Sequence, residues 1–412
     1  MEEVLSIVLA GGRGERLAPF TDEIPKPLVP YIGSIPLINF PLSNLVNSNF
    51  RRIHVYTQHK SNALNEFVSK NWRPLVGSID EFIDHRNAQI EGGGYAGTAH
   101  AVLENLGEIN HLRPSYVIVA SADHIYKMDF NQMLNEHTKQ NADVSIAALP
   151  VLKKDAARLG VMETKKGGRI TGFHEKVEDP PEMPDFPGYC LANMGIYIFK
   201  TSALSYIGEE DIDFGKNVFP RIVNDRHLHA YTYTTNRIPT ETGEEEKLNW
   251  IDVGTVRALF DASMDQVKAL PKSIDLYNKK WRIWNFLNGH TLPAKIYGIT
   301  SNGRYLASPG CIVEKCSLEN VILGPGSVAE DSTLTDVITH NDVVIQPGAC
   351  IKGTIIDSGA QVEQGVQIGF DDEADMRRGF LPKNAAGKPY TEGVRVIPRR
   401  MAATKDGLVQ IR

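Results

Sequence analysis

Residues 11–26 read GGRGERLAPFTDEIPK, three glycines interleaved with Arg13, Arg16 and Lys26. Glycine lets backbone N–H groups converge on an anion, including at positive φ. The arginines add forked, charged donors. Lys26 is displayed on a stiff stretch between Pro25 and Pro27. A triphosphate needs several such donors at once. The pattern is neither common phosphate loop: it lacks the last glycine of G-x-G-x-x-G, and no Gly-Lys-Ser/Thr follows. Glycines alone would make a turn; with three cations the stretch reads as an anion grip.

Two carboxylates come next. In VIVASADHIY an apolar run ends in Asp123, and a carboxylate at the carboxyl end of a buried strand is placed to hold Mg²⁺, which takes hard oxygen ligands. Asp129, ahead of FNQMLNEH, is the better helix cap. Asp252 in WIDVGT would alone be a cap or turn aspartate; paired with Asp123 it makes a two-carboxylate Mg²⁺ site. In FHEKVEDPP, Lys176 follows Glu175 at a strand end, where a sugar-phosphate contact and a plain surface ion pair weigh equally. Asn193 opens LANMGIYIF and offers a contact for a sugar hydroxyl.

The elements that must position these residues alternate. VLSIVLA (4–10) is a continuous apolar run, the mark of a strand covered on both faces. Helical spacing over 36–49, a strand at 52–58, a helix at 62–71, a helix at 97–109, a strand at 116–121, a helix at 129–141 and a strand at 143–151 follow. That order predicts an α/β, Rossmann-like sheet, mixed but mostly parallel, with helices on both faces. Ligands in such sheets sit beyond the carboxyl ends of the strands, where the opening loop lies.

From Leu306 the period changes to six: Leu306, Ile312, Leu318, then Ile322, Val328, Leu334, then Ile338, Val344, Cys350, then Ile356, Val362, Ile368. Glycine turns separate them, as in GPGS and QPGA. This is the hexapeptide signature of a parallel β-helix, here about four coils, each residue of the series facing inward. The expected division is 1–270, a packing linker 271–300, and 301–412. Within the linker, Tyr277, Trp281 and Trp284 are expected to be covered. The last twelve residues carry no readable pattern and are expected to fray. An oligomer built partly through the β-helix is expected.

Composition sets the class. The 412 residues are 42% hydrophobic and 23% charged, with a net charge of −6, so no overall basic surface for nucleic acid is implied. The N-terminal MEEVLSIVLAGG has no positive n-region and too short an apolar run for a signal or membrane helix, which points to the cytoplasm and to no membrane partner. Cys190, Cys311, Cys316 and Cys350 have no C-x-x-C spacing and read as buried thiols.

Taken together, LAGGRGERL, KPLVP, FPLSNLVNS, RRIHVYTQHKS, YAGTAHAV, ADHIYKMD, GVMET, HEK, NMGIYIF, DFGKNVFP and WIDVGT resemble the glucose-1-phosphate adenylyltransferase (ADP-glucose pyrophosphorylase) family. The resemblance implies a nucleotidyltransferase domain followed by a left-handed β-helix, and a family-typical homotetramer. It implies the reaction of ATP with α-glucose 1-phosphate to give ADP-glucose and pyrophosphate, with Mg²⁺. By similarity Leu9, Ala10, Gly11, Gly12 and Gly14 wrap the nucleotide, Arg16 and Lys26 contact its phosphates, and Arg13 stabilises the departing pyrophosphate. Tyr95, Gly97 and Thr98 line the base and sugar region. Asp123 and Asp252 hold the metal; Gly160, Glu175, Lys176, Asn193 and Met194 meet the sugar phosphate. The chain departs from the family pattern at Ala96, His100, Glu104, Val177, Asn193 and Ile251, so the chemistry is kept while the pocket lining changes. Asp22 and Glu23 stand where the family's activator site is basic. The alternatives are another NTP or sugar 1-phosphate, a weakly catalytic regulatory homologue, or an acyltransferase, for which His340 is the one histidine within the repeats.

Overall fold

The computed structural model describes residues 3–88, 93–246, 248–268, 271, 274–287, 289–383 and 390–411. Strands β1 (Val4–Ala10), β2 (Arg52–Thr57), β3 (Phe82–Asn87), β4 (Tyr116–Ser121), β5 (Val144–Leu152), β6 (Gly160–Thr164), β7 (Ile170–Glu175), β8 (Tyr189–Lys200) and β9 (Leu228–Thr232) form one nine-stranded sheet. Its order is β7-β6-β8-β4-β1-β2-β3, with β5 joining β8 to β9. β3, β2, β1 and β4 run parallel, whereas β8 runs antiparallel to β4, β5 and β6. Alternate residues of β1 serve opposite faces: Leu5 and Ile7 enter one core, Val4, Val8 and Ala10 the other. That is why the run shows no polar alternation.

Helices α1 (Asn39–Asn47), α2 (Ser61–Phe67) and α5 (Phe130–Lys139) cover one face, and α3 (Thr98–Glu104) and α4 (Leu106–Leu112) the other. The stretch 97–109 is thus two helices, not one. Asn105 leaves helical geometry, and its side-chain amide bonds the Ala101 carbonyl and the Tyr95 hydroxyl. Asparagine breaks helices by such competing bonds. Asp129 caps α5 as expected, its carboxylate accepting from Asn131 N.

The C-terminal third is a parallel β-helix. One ladder runs through Ile312, Val328, Val344 and Gln361; others pair Leu318 with Leu334 and Ile351, and Ile322 with Ile338 and Ile355. The period stands, but its phase shifts on two faces. Ile312 is 43% exposed, and Val313, Ala329 and Ile345 point inward in place of Ile312, Val328 and Val344, while Val362 faces inward as expected. Ile351, not Cys350, follows Leu334. Ile322 and Ile338 face outward, into a core shared with the first domain; Val321 and Val337 fill the interior. A face buried on both sides carries apolar residues at every position, so spacing alone cannot give its phase.

The connecting segment packs in part. Trp281 is buried and its indole N–H donates to Asn44 Oδ1 at 2.8 Å, but Tyr277 is 74% exposed, its amphipathic ring tolerating water. Lys295–Tyr297 already forms a rung, parallel to Ile312–Glu314. Residues 401–410 are tied down instead: Met401–Ala403 pairs with Gln361–Val362 and with Leu408–Gln410, capping the coil. Cys190, Cys311 and Cys316 are buried free thiols, and Cys350 is half-buried.

The two regions meet through a third apolar core. It joins Leu17, Phe20, Tyr31, Phe40, Ile125, Val253 and helix α6 (Val256–Asp265) to Ile322, Ile338, Ile355 and Val396. At its edge Gly33 has φ +74°, and a Cβ there would lie 2.3 Å from the Thr339 carbonyl oxygen. Gly33→Ala should therefore cost about 3 kcal/mol or more, strain plus a backbone clash. Gly167→Ala, at φ +91° in open space, should cost only about 1 kcal/mol. Urea denaturation of both variants checks this; equal losses would contradict the docking at Gly33.

Candidate active site

Because β1, β2 and β4 are parallel, their carboxyl ends open together, and a cavity of about 450 Å³ lies there. Leu9, Ala10, Gly11, Gly12, Arg13, Lys26, Tyr95, Gly97, Thr98 and Asp123 all line it. Residues scattered over more than a hundred positions thus converge. Gly12 is open, with no atom within 4 Å of a would-be Cβ, so another molecule can approach its backbone. Of the three loop glycines, Gly14 uses the freedom to take positive φ (+69°), and Gly11 and Gly12 do not. A Cβ at Gly14 would meet the Lys26 side chain at 2.8 Å.

That close approach sends Lys26 under the loop. The Lys26 side chain is 10% exposed, and its Nζ donates to Asp123 Oδ2 at 2.7 Å. Ser121 donates to the other oxygen of Asp123, and His124 Nε2 lies 3.6 Å from it. Burial works against ionising Asp123, but the neighbouring His124 and Lys26 charges and the hydrogen bonds from Lys26 and Ser121 outweigh it. The carboxyl is held below the usual carboxylate range.

After Asp123, His124–Tyr126 pairs antiparallel with Trp250–Asp252, and Asp252 stands opposite His124. The two carboxylates therefore sit on neighbouring chains, one residue out of register. Asp252 and the Arg16 guanidinium both lie 3.0 Å from a would-be Cβ on Gly254, outside the cavity lining. Among the described residues no three His, Cys, Asp or Glu side chains cluster as a metal set.

The remaining predicted residues lie on the antiparallel half. Glu175 is opposite Gly160 in register, and its Oε2 lies 2.6 Å from would-be Cβ atoms on both Gly160 and Gly215. Its other oxygen takes Lys176 Nζ at 3.0 Å, and Lys176 has φ +54°. The Asn193 amide donates to the Tyr197 hydroxyl at 3.0 Å and its carbonyl accepts from Gly195 N, so it shapes the bulge that turns Tyr197 to the cavity. The Met194 side chain is fully buried in the apolar core and does not line the cavity. Its side chain is therefore turned away from the expected sugar contact.

Sequence reasoning missed Tyr56, Gln58, His59, His124 and Tyr197 in the lining. Gln58 and His59 follow β2 as the glycine loop follows β1, so the strand-end rule gave a usable signal. Gln58 Oε1 faces Gly11, and its Nε2 lies 2.6 Å from a would-be Cβ on Gly94. Asp213 was missed too: it accepts from Thr98 Oγ1 at 2.9 Å and caps Gly215 and Lys216, tying the α3 N-terminus to DFGKN. The Ala96 amide donates to His100 Nδ1 at 3.2 Å, so the departures at 96 and 100 form one local contact.

This geometry can hold an anionic nucleotide over a paired lysine and carboxylate. Residues 5–269 match the family model described as nucleotidyl transferase, and residues 298–385 the one described as GlmU-like, C-terminal hexapeptide. The chain is 34% identical to the glucose-1-phosphate adenylyltransferase of Aliivibrio fischeri (strain MJ11), covering 97% of this chain and 98% of that one. It is 38% identical to that of Corynebacterium jeikeium (strain K411), covering 92% and 96%. It is 36% identical to glucose-1-phosphate adenylyltransferase 1 of Vibrio parahaemolyticus, covering 97% and 98%. A nucleotide-sized cavity at the strand ends, a β-helix behind it and likeness along nearly the whole length agree: the chain belongs to the glucose-1-phosphate adenylyltransferase family of nucleotidyltransferases.

Proposed function

We propose that the protein transfers an adenylyl group from ATP to α-glucose 1-phosphate, giving ADP-glucose and pyrophosphate for α-glucan synthesis. The observation that carries this reading is the Lys26–Asp123 pair beneath the glycine loop, in a chain of this family. A phosphate oxygen of the sugar phosphate attacks the α-phosphorus in line, the bond to the β-phosphate oxygen breaks, and pyrophosphate leaves with that electron pair. The protein positions and neutralises charge and forms no covalent bond.

The open backbone at Gly12 is suited to the phosphate chain, and the turn at Gly14 brings Lys26 to it. Arg13, 71% exposed at the cavity rim and 3.7 Å from Glu15 Oε1, exchanges that surface pairing for the leaving pyrophosphate; Arg16 stands beside Gly254, outside the lining, and reaches the phosphates from there. Tyr95, Gly97 and Thr98 form the base and ribose side. Gly160, Glu175, Lys176 and Asn193 make the sugar-phosphate side. Asp123, held ionised, and Asp252 on the adjacent strand offer hard oxygens, a donor set that fits Mg²⁺ rather than a soft metal. When bound, Mg²⁺ supplies charge neutralisation on the phosphate oxygens. We further propose the division 1–270, 271–300 and 301–412, with the end of the connecting segment, Lys295–Tyr297, supplying the first rung of the β-helix, and a cytoplasmic homotetramer. Exposed Ile312, Phe370 and Val409 on the C-terminal region support association.

Pyrophosphate release with four NTPs against a panel of sugar 1-phosphates tests the function. ATP with glucose 1-phosphate should give the highest kcat/KM, and silence with every pair would favour the regulatory alternative. Asp123→Asn should lower kcat about 10³-fold with far-UV circular dichroism unchanged; near-normal release would sink the metal assignment. Lys176→Ala should raise the KM for the sugar phosphate about tenfold and that for ATP less than about threefold. An equal rise would remove Lys176 from the sugar side.

Acid unfolding reports on Asp123 independently. Its lowered folded pKa adds stability above the unfolded carboxylate pKa, and that stability is lost as pH falls. The Tm gap between wild type and Lys26→Met should therefore be widest at neutral pH and narrow below about pH 4. A gap constant from pH 7 to pH 3 would contradict the pairing.

A further inference from the structure

His340 is left over by the catalytic reading. It is 1% exposed, so it cannot serve as an exposed general base for acyl transfer. Its Nδ1 lies 2.8 Å from Asp357 Oδ1. Asp357, also 1% exposed, further accepts from the Ser358 amide at 2.6 Å and takes Arg399 Nη2 at 3.3 Å. The His340 backbone is fixed as well: its amide donates to Ile356 O at 2.8 Å, and its carbonyl accepts from Ser327 Oγ at 3.0 Å. The imidazole is thus held through Nδ1, and the backbone that carries it at both its N–H and its carbonyl.

That imidazole packs on Phe20, ring centroids 5.5 Å apart. Phe20 is 1% exposed and belongs, with Leu17, to the core shared by the two regions. Both residues lie inside the glycine–arginine loop segment. The next residue, Thr21, donates from Oγ1 to the Gly14 carbonyl at 3.0 Å. Its methyl carbon lies 3.1 Å from a would-be Cβ on Gly14, and its own carbonyl accepts from Lys60 Nζ. Gly14 is the one left-handed residue of the loop and lies against the Lys26 side chain. From the imidazole to the turn that aims Arg13 and Lys26 there are only two intervening residues, each buried and each in direct contact with the next.

We infer that His340, clamped by Asp357, is a positioning residue for the nucleotide: through Phe20 and Thr21 it fixes the turn at Gly14. The β-helix then contributes to nucleotide affinity without touching the nucleotide. The inference rests on the reading of Gly11–Lys26 as the nucleotide loop. It is not a matter of stability alone, because the contact chain ends on the loop and not on the sugar-phosphate side at Glu175 and Lys176.

The test compares Phe20→Ala, Phe20→Leu and His340→Ala with Val362→Ala, a truncation inside the β-helix that is away from the shared core. ATP affinity is measured by calorimetry, both KM values by pyrophosphate release, and Tm by circular dichroism. Phe20→Ala and His340→Ala should weaken ATP binding and raise its KM about tenfold, leaving the sugar-phosphate KM within about threefold. Phe20→Leu, which keeps the apolar anchor, should recover most of that loss. Val362→Ala should lower Tm with both KM values within about twofold of wild type. ATP affinity unchanged in Phe20→Ala, or both KM values rising together, would overturn the inference. If His340→Ala does not fold, the Phe20 pair decides by the same criteria. If wild type binds ATP but releases no pyrophosphate with any sugar phosphate, the adenylyltransfer reading fails while the calorimetry still decides this one.

Discussion

An ammonium and a carboxylate 2.7 Å apart, Lys26 and Asp123, join a loop to the end of a strand that lies 97 residues later. Neither would sit well alone, since a largely buried charge without its partner carries a heavy desolvation cost. Together they close the glycine segment over the sheet and leave one face of the carboxylate toward the cavity. Much of the surrounding structure follows from keeping that pair in place. Gly14 has no side chain because Lys26 passes there, and Ser121 and His124 complete the surroundings of Asp123. The short antiparallel pairing after Asp123 then brings Asp252 alongside.

The sequence made the loop, Asp123 and the parallel half of the sheet legible, because residue type and position at a strand end coincide there. It did not reveal Tyr197, which reaches the cavity only through a bulge at Gly195 with φ +72°. Nor did it reveal that the Met194 side chain turns to the apolar core, since a strand buried on both faces gives no sign of which side a residue takes. Glu175 and Lys176 were legible as a pair, but not the two glycines, Gly160 and Gly215, that make room for the carboxylate. Spacing in sequence finds side chains; it does not find the empty volume they need.

The β-helix shows the same limit on a larger scale. A six-residue period was readable across four coils, yet Ile322 and Ile338 point out of the coil and into the shared core with Leu17 and Phe20. Those outward residues make the β-helix a wall behind the loop rather than an appendage. Ile125, one residue past His124, and Val253, one past Asp252, rest on the same core. The glycine loop, the strand that follows Asp123 and the strand that carries Asp252 thus share a single apolar foundation built from two parts of the chain.

The central claim, that the cavity at the strand ends binds the nucleotide and the sugar extends from it toward Glu175, is tested most directly by a crystal structure with ADP-glucose. The account predicts the pyrophosphoryl group against Gly11–Arg13 and Lys26, the adenosine beside Tyr95–Thr98, and the glucose toward Glu175 and Lys176. Density for the ligand in the acidic cleft lined by Glu241, Glu246 and Tyr277, with the strand-end cavity empty, would contradict it.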